Sequence, residues 1–88
     1  MPPRVRAEIQ FVCALYQVPE ADLLGRARNK RLWEARRHCW TLLRALRTPL
    51  GQPFSYPQIA HWFDRDHTTI MLGVRAYCGR SRSLAQAA

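Results

Sequence analysis

Fourteen Lys and Arg against six Asp and Glu give the 88-residue chain a formal net charge of +8, with room for one domain burying ~60 to 65% of its unfolded surface and none for a second, catalytic domain. Thirteen of the fourteen cations are Arg, Lys30 being the single Lys, and a planar guanidinium suits phosphate and guanine edges, although a GC-rich coding composition also enriches Arg. Cys13, Cys39 and Cys78 form no C-x-x-C pair, no apolar run reaches the ~18 to 20 residues of a membrane span, and "MPPRVRAEIQ" lacks a signal peptide's apolar stretch, so no disulfide framework, zinc knuckle or membrane contact is expected and a cytoplasmic location is.

Along the chain the periodicity is helical. Val5, Ile9, Val12, Cys13 and Tyr16 recur at i, i+4, i+7, i+8 and i+11 and predict an amphipathic helix to about Gln17, stopped by Pro19. "PEADLL" predicts one or two turns, with Pro19 in the first turn, Glu20 and Asp22 near the positive end and Gly25 closing it. Gly25 to Arg31, "GRARNKR", holds four positive charges and no large apolar residue. It reads as a loop, either a solvated connector or a polyanion contact that relieves the mutual repulsion of its charges.

Leu32 to Arg47 reads as a long helix with Leu32, Ala35, Cys39, Leu42, Leu43 and Leu46 on its core face, and with Arg36, Arg37, Arg44 and Arg47 mainly elsewhere. Trp33 and Trp40, on a common side, are expected to pack on neighbouring helices rather than stack on bases. "TPLGQPF" is a loop. "SYPQIAHWF" starts a helix with a Ser55-x-x-Gln58 capping box and Pro57 in the first turn, a cap whose loss costs ~1 kcal/mol. Ile59, Trp62 and Phe63 face inward, and after an Asp64-Arg65 turn Asp66 caps the last helix, whose Ile70, Val74 and Tyr77 are spaced for burial. No repeat and no strand pattern is visible. The expectation is an all-α fold, a single domain over residues 1–79 with a flexible tail over 80–88.

Two short helices joined by a tight turn in a small basic domain suggest a helix-turn-helix, whose second helix enters the major groove of DNA. His67, Thr68 and Thr69 would then occupy the first turn, where side chains reach base edges and free backbone N–H groups hold phosphate. The plainer alternative is that Asp66, Thr68 and Thr69 only cap the helix. Catalysis is not expected: Asp66–His67 and His38–Cys39 are neighbours in sequence, and helix neighbours point ~100° apart, so neither pair forms a base and its orienter. A metal site would need chance convergence of His38, His61 and His67, and His61 reads as an ordinary surface residue.

"RDHTTI" followed by Val74-Arg75 resembles the signature of the C-terminal DNA-binding domain of the bacterial replication initiator DnaA, whose members typically carry Arg-Asp-His-Thr-Thr-Val. "VCALYQVPEADLL", "GRARNKR" and "SYPQIAHWF" are similar, in order, to that family's first helix, basic loop and first motif helix, so the likeness runs from about Ile9 to Tyr77. The resemblance implies a TrpR-like helix-turn-helix fold and residue roles. Arg28 would enter the minor groove with Lys30 beside it, and Arg36 would approach phosphate. Tyr56 and Pro57 would lie where the first motif helix meets DNA, and Arg65 would be a further DNA-binding residue. Asp66, His67 and Thr68 would read the major groove, with Thr69 and Arg75 on the backbone. Two departures stand out: the family's Gly-Gly before the Arg is replaced by "FDRDH", one residue shorter, and "RTPLGQPF" makes the preceding loop longer. The target sequence is therefore not carried over.

The family's ATPase needs a G-x-x-x-x-G-K-[ST] loop, and Lys30 lacks that framing; no nucleotide and no cofactor is expected. The partner is double-stranded DNA, with the transcription or replication machinery as a further one, and the expected location is at the nucleoid. Such a reading domain is a regulator, a competitor for initiator boxes, or the reading head of something larger. Two rivals stay open: an RNA-binding module using the basic loop and three Trp, and a module touching RNA polymerase through an apolar patch around Trp33 and Trp40.

Overall fold

A computed structural model describes the backbone of residues 1–87 and the side chains of residues 1–78. Among the described residues the chain forms five helices: α1 (Pro3–Tyr16), α2 (Glu20–Leu24), α3 (Lys30–Ala45), α4 (Tyr56–Phe63) and α5 (His67–Ala87). No strand occurs among them, only an isolated bridge between Arg47 and Pro53.

Each boundary has a local cause. Pro3 opens α1 at a position whose N–H no helix would use. α1 ends in a Schellman turn: Gln17 is left-handed (φ 56°), Gln17 N donates to Ala14 O (3.3 Å) and Val18 N to Cys13 O (3.0 Å). α3 starts at Lys30, not Leu32, because Asn29 Oδ1 accepts the Leu32 N–H at 2.8 Å; the basic loop is two residues shorter than the charge run suggests. The capping box of α4 forms as read, with Gln58 N donating to Ser55 Oγ (3.2 Å) and Ser55 N to Gln58 Oε1 (2.9 Å). α4 then closes with a second Schellman turn, in which Asp64 is left-handed (φ 52°), Asp64 N donates to His61 O (3.3 Å) and Arg65 N to Ala60 O (3.0 Å). α5 is longer than its apolar spacing predicts. The tail expected from Arg80 onward falls on residues whose side chains lie outside the described residues.

α3 is the axis of the fold, with α1, α2, α4 and α5 all packed on it and α4 also on α5. The core joins Val5, Ile9 and Val12 of α1 and Leu23 of α2 to Ala35, Cys39, Trp40 and Leu43 of α3, Ile59 and Phe63 of α4, and Ile70 and Val74 of α5. Its hub is Trp40, completely buried and edge-to-face with both Phe63 and Trp33 at 5.8 Å. α5 reaches this ring because Gly73 has no side chain; a Cβ there would sit 2.7 Å from Trp40 Cε3 and Cζ3. At the edge of the core His38 stacks on Tyr77 (5.1 Å between centroids, 15°) with its Nδ1 3.1 Å from Tyr16 Oη, and burial lowers its pKa against the pull of Glu8.

The burial of Trp40 corrects one expectation: it belongs to no surface patch, and the exposed large apolar residues include Phe11, Leu15, Leu50 and Leu72 instead. The long α3–α4 loop closes on itself. Thr48 N donates to Gln52 O (2.7 Å), Gly51 N to Thr48 O (2.8 Å), and Gly51 takes the positive φ the turn requires, while Arg44 Nη1 holds the Phe54 carbonyl at 2.6 Å.

Candidate nucleic-acid interface

The last carbonyls of α2 have no partner within so short a helix, and the chain satisfies them with arginine. Arg36, only 1% exposed, donates from Nε to Leu23 O (2.9 Å) and from Nη2 to Asp22 O (2.7 Å) and Gly25 O (3.1 Å). This corrects the expectation that Arg36 lies off the core face and approaches phosphate: its hydrogen-bonding edge is turned inward to cap α2. The spacing of α3 does put Arg36 on the buried face, four residues after Leu32 and three before Cys39, but it cannot reveal the partners, which lie 11 to 14 residues upstream.

The same carbonyl of Gly25 is gripped from the helix-turn-helix. Arg65 Nη2 donates to Gly25 O at 2.6 Å and its Nη1 to Phe63 O at 2.9 Å. In the other direction Arg26 Nη2 donates to Asp64 O (2.9 Å) and to Asp64 Oδ2 (3.1 Å). Burial depresses the pKa of both Arg36 and Arg65, and for Arg65 the neighbouring charges of Arg36 and Arg26 add to it. Positive charge is thus crowded here beyond what its local acids neutralise.

That crowding borders a cleft of about 720 Å³ lined by Arg26, Arg28 and Asn29 of the loop, Trp33 and Arg36 of α3, and Arg65, Asp66 and Thr69 at the start of α5. Asn29 caps α3 and Asp66 begins α5, so two helix N-termini open on the cleft and add their partial positive charge. A neighbouring depression is lined by Pro57, Ala60, His61, Asp64, Arg65, Asp66 and His67.

At the head of α5, Asp66 Oδ1 accepts the Thr68 N–H at 2.7 Å. The Thr68 backbone and side-chain hydrogen bonds, helped by the nearby His67, hold the Asp66 carboxyl below the usual range. Capping therefore occupies Oδ1, while the exposed carboxylate keeps further acceptor sites for a ligand. His67 and Thr68 are exposed and Thr69 is half-buried.

The structure gathers Arg28, Arg65, Asp66 and Thr69 around the cleft, and Pro57, Arg65, Asp66 and His67 around the depression. Lys30 is exposed at the first position of α3 and Arg75 is exposed on α5, seven residues beyond Thr68 and so on the same face. Tyr56 is half-buried under the Arg44 guanidinium, 4.1 Å from the ring centre. Six residues here were not predicted to contact DNA: Arg26, Asn29, Trp33, Ala60, His61 and Asp64. Asn29 had a legible signal, a capping residue three before Leu32. The other five carry none that local pattern can supply.

A family model described as the bacterial dnaA protein helix-turn-helix matches residues 7–76 of this chain. No curated protein and no solved structure matches it.

Proposed function

The chain belongs to the bacterial DnaA helix-turn-helix family, a family of DNA-binding domains, and from that premise we propose that it binds duplex DNA sequence-specifically at a DnaA-box-like site, as a regulator of transcription or replication at the nucleoid with no ATPase of its own. The start of α5 enters the major groove, where Asp66, His67 and Thr68 read base edges, and the loop before α3 puts Arg28 in the minor groove. Lys30, Thr69 and Arg75 hold the backbone, and Pro57 and Tyr56 flank the strand at α4. The observation that carries this reading is the shared cleft: loop and helix start, 37 residues apart between Arg28 and Arg65, flank one arginine-lined groove.

Selection from a randomised duplex library tests it. One enriched site is expected, bound with a slope of log K against log salt near −5 to −6 for ~5 to 7 neutralised phosphates. His67→Ala and Thr68→Ala are expected to lose ~1 to 3 kcal/mol on that site and little on unrelated duplex. A flat salt response, or preference for single-stranded RNA of equal length, would overturn the proposal. A second reading, a module that also touches the transcription machinery, draws on Phe11 and Leu15, each 55% exposed one turn apart on α1.

A further inference from the structure

We infer that Gly25–Arg26 and Asp64–Arg65 form a reciprocal strap that fixes the spacing between the minor-groove loop and the major-groove helix, which makes Arg26 and Arg65 positioning residues for DNA specificity; this rests on the two-groove reading above. Each segment offers a carbonyl and an adjacent arginine, and each arginine takes the other segment's carbonyl: Arg65 Nη2 to Gly25 O at 2.6 Å, Arg26 Nη2 to Asp64 O at 2.9 Å. The ties join residues 38 to 40 apart in sequence. No helix end needs them, since Arg36 already caps α2 and the Schellman turn already closes α4.

Both anchors are set by the helix ends they close. A Cβ on Gly25 would fall 2.6 Å from Ala21 O, so another residue would displace the carbonyl on which Arg36 and Arg65 converge. Asp64, held left-handed by the Schellman turn of α4, offers the carbonyl that Arg26 takes. The two ties differ in weight. Arg26 and Asp64 side chains are 73% and 91% exposed, and an exposed ion pair constrains little. The Arg65 tie is part-buried and short, so it dominates.

The strap sits at the root of both readers. Arg28 lies between the strapped Gly25–Arg26 and Asn29, which caps α3, and His67 is the first residue of α5, two after Arg65, so each reader is held on both sides. DNA must therefore present its minor-groove and major-groove segments at one phase. One extra base pair between them shifts the second segment by ~3.4 Å and turns it by ~35°. A strapped protein cannot follow that displacement, whereas an unstrapped one can bend to it.

The test uses the most enriched duplex from the wild-type selection, with dimethyl sulfate footprinting to locate both segments, and the same duplex with one base pair inserted between them. The quantity read is the ratio of the two affinities for each protein, which cancels any general loss from removing a charge. Wild type is expected to lose about 30-fold or more on insertion, and Arg65→Met less than about 5-fold from its own starting affinity. Arg65→Lys, which keeps one donor for Gly25 O, is expected to recover part of the penalty, and Arg26→Gln to fall between wild type and Arg65→Met. If Arg65→Met does not fold, by circular dichroism and thermal melt, Arg65→Lys and Arg26→Gln carry the same comparison. An insertion penalty equal to wild type in the folded variants overturns the strap and leaves the DNA reading intact. Failure to enrich any duplex overturns the two-groove reading and the strap's role with it.

Discussion

Two regions hold the helix-turn-helix in place, and they do so by different physics. Around Trp40 the contacts are apolar: Phe63 from α4, Trp33 from α3 and the bare backbone of Gly73 from α5 close on one ring. Around Gly25 they are polar and directional: three arginines reach five carbonyls and one carboxylate across the ends of α2 and α4. The apolar hub drives association of the helices and is tolerant of angle, because dispersion and water exclusion scale with area. The polar seam adds less net free energy and more geometry, since a hydrogen bond weakens steeply when its angle fails. Stability should therefore track the hub, and the placement of the readers the seam.

The comparison breaks most visibly at the hub. Trp40→Ala is expected to cost ~3 to 5 kcal/mol in urea unfolding, with specific and non-specific DNA binding falling together as the fold is lost. In the seam, Arg36→Met keeps the volume and removes the donors, leaving Asp22 O only the 3.3 Å bond from Gly25 N and taking Leu23 O's side-chain donor away, at an expected cost of about 2 to 3 kcal/mol. Here the specific site should suffer more than unrelated duplex in the folded fraction, because the displaced Gly25 carbonyl is also the anchor of Arg65. Equal losses on both duplexes would show the seam to be mere stability.

The smallest expected effect is a pH response confined to the hub's edge. Burial depresses the pKa of His38 in the fold, so the unfolded chain takes up its proton first as the pH falls. Stability is then full above the unfolded value of ~6.5 and declines as the pH drops through the folded value. Melting temperature should fall between pH 7.5 and 5.5 in wild type, and fall less in His38→Gln. The same slope in both would place the acid sensitivity elsewhere.

What could be read in the sequence was whatever its neighbours in sequence decide. The Ser55–Gln58 box, the stop at Pro19 and the spacing of Val5, Ile9 and Val12 are settled within one or two turns, and the structure bears each out. The Asp-His-Thr-Thr stretch begins a helix as read, with Asp66 as its cap. What escaped was decided across the chain. Arg36 falls on the core face of α3 by spacing, between Leu32 and Cys39, yet a cation there has no visible purpose until the carbonyls at the end of α2 are brought to it. Arg26 and Asp64 are unremarkable until they meet. Trp33 and Trp40 share a side of α3, yet only Trp40 is sealed off, since α4 and α5 cover one and leave the other beside the cleft. The first turn of α3 is legible as well, because Asn29 is an ordinary helix cap standing among charges.

Gly73 stands six residues along α5 from His67, about 9 Å at the helical rise. A methyl group there would have to move from 2.7 Å to at least 3.4 Å from the indole ring, a shift of ~0.7 Å that, acting over a ~9 Å arm, is a tilt of ~4°. The absent side chain thus acts as a pivot and α5 as a lever. The angle at which the start of α5 leaves the protein is trimmed by the thickness of a single hydrogen-for-methyl exchange, on the helix face turned to Trp40.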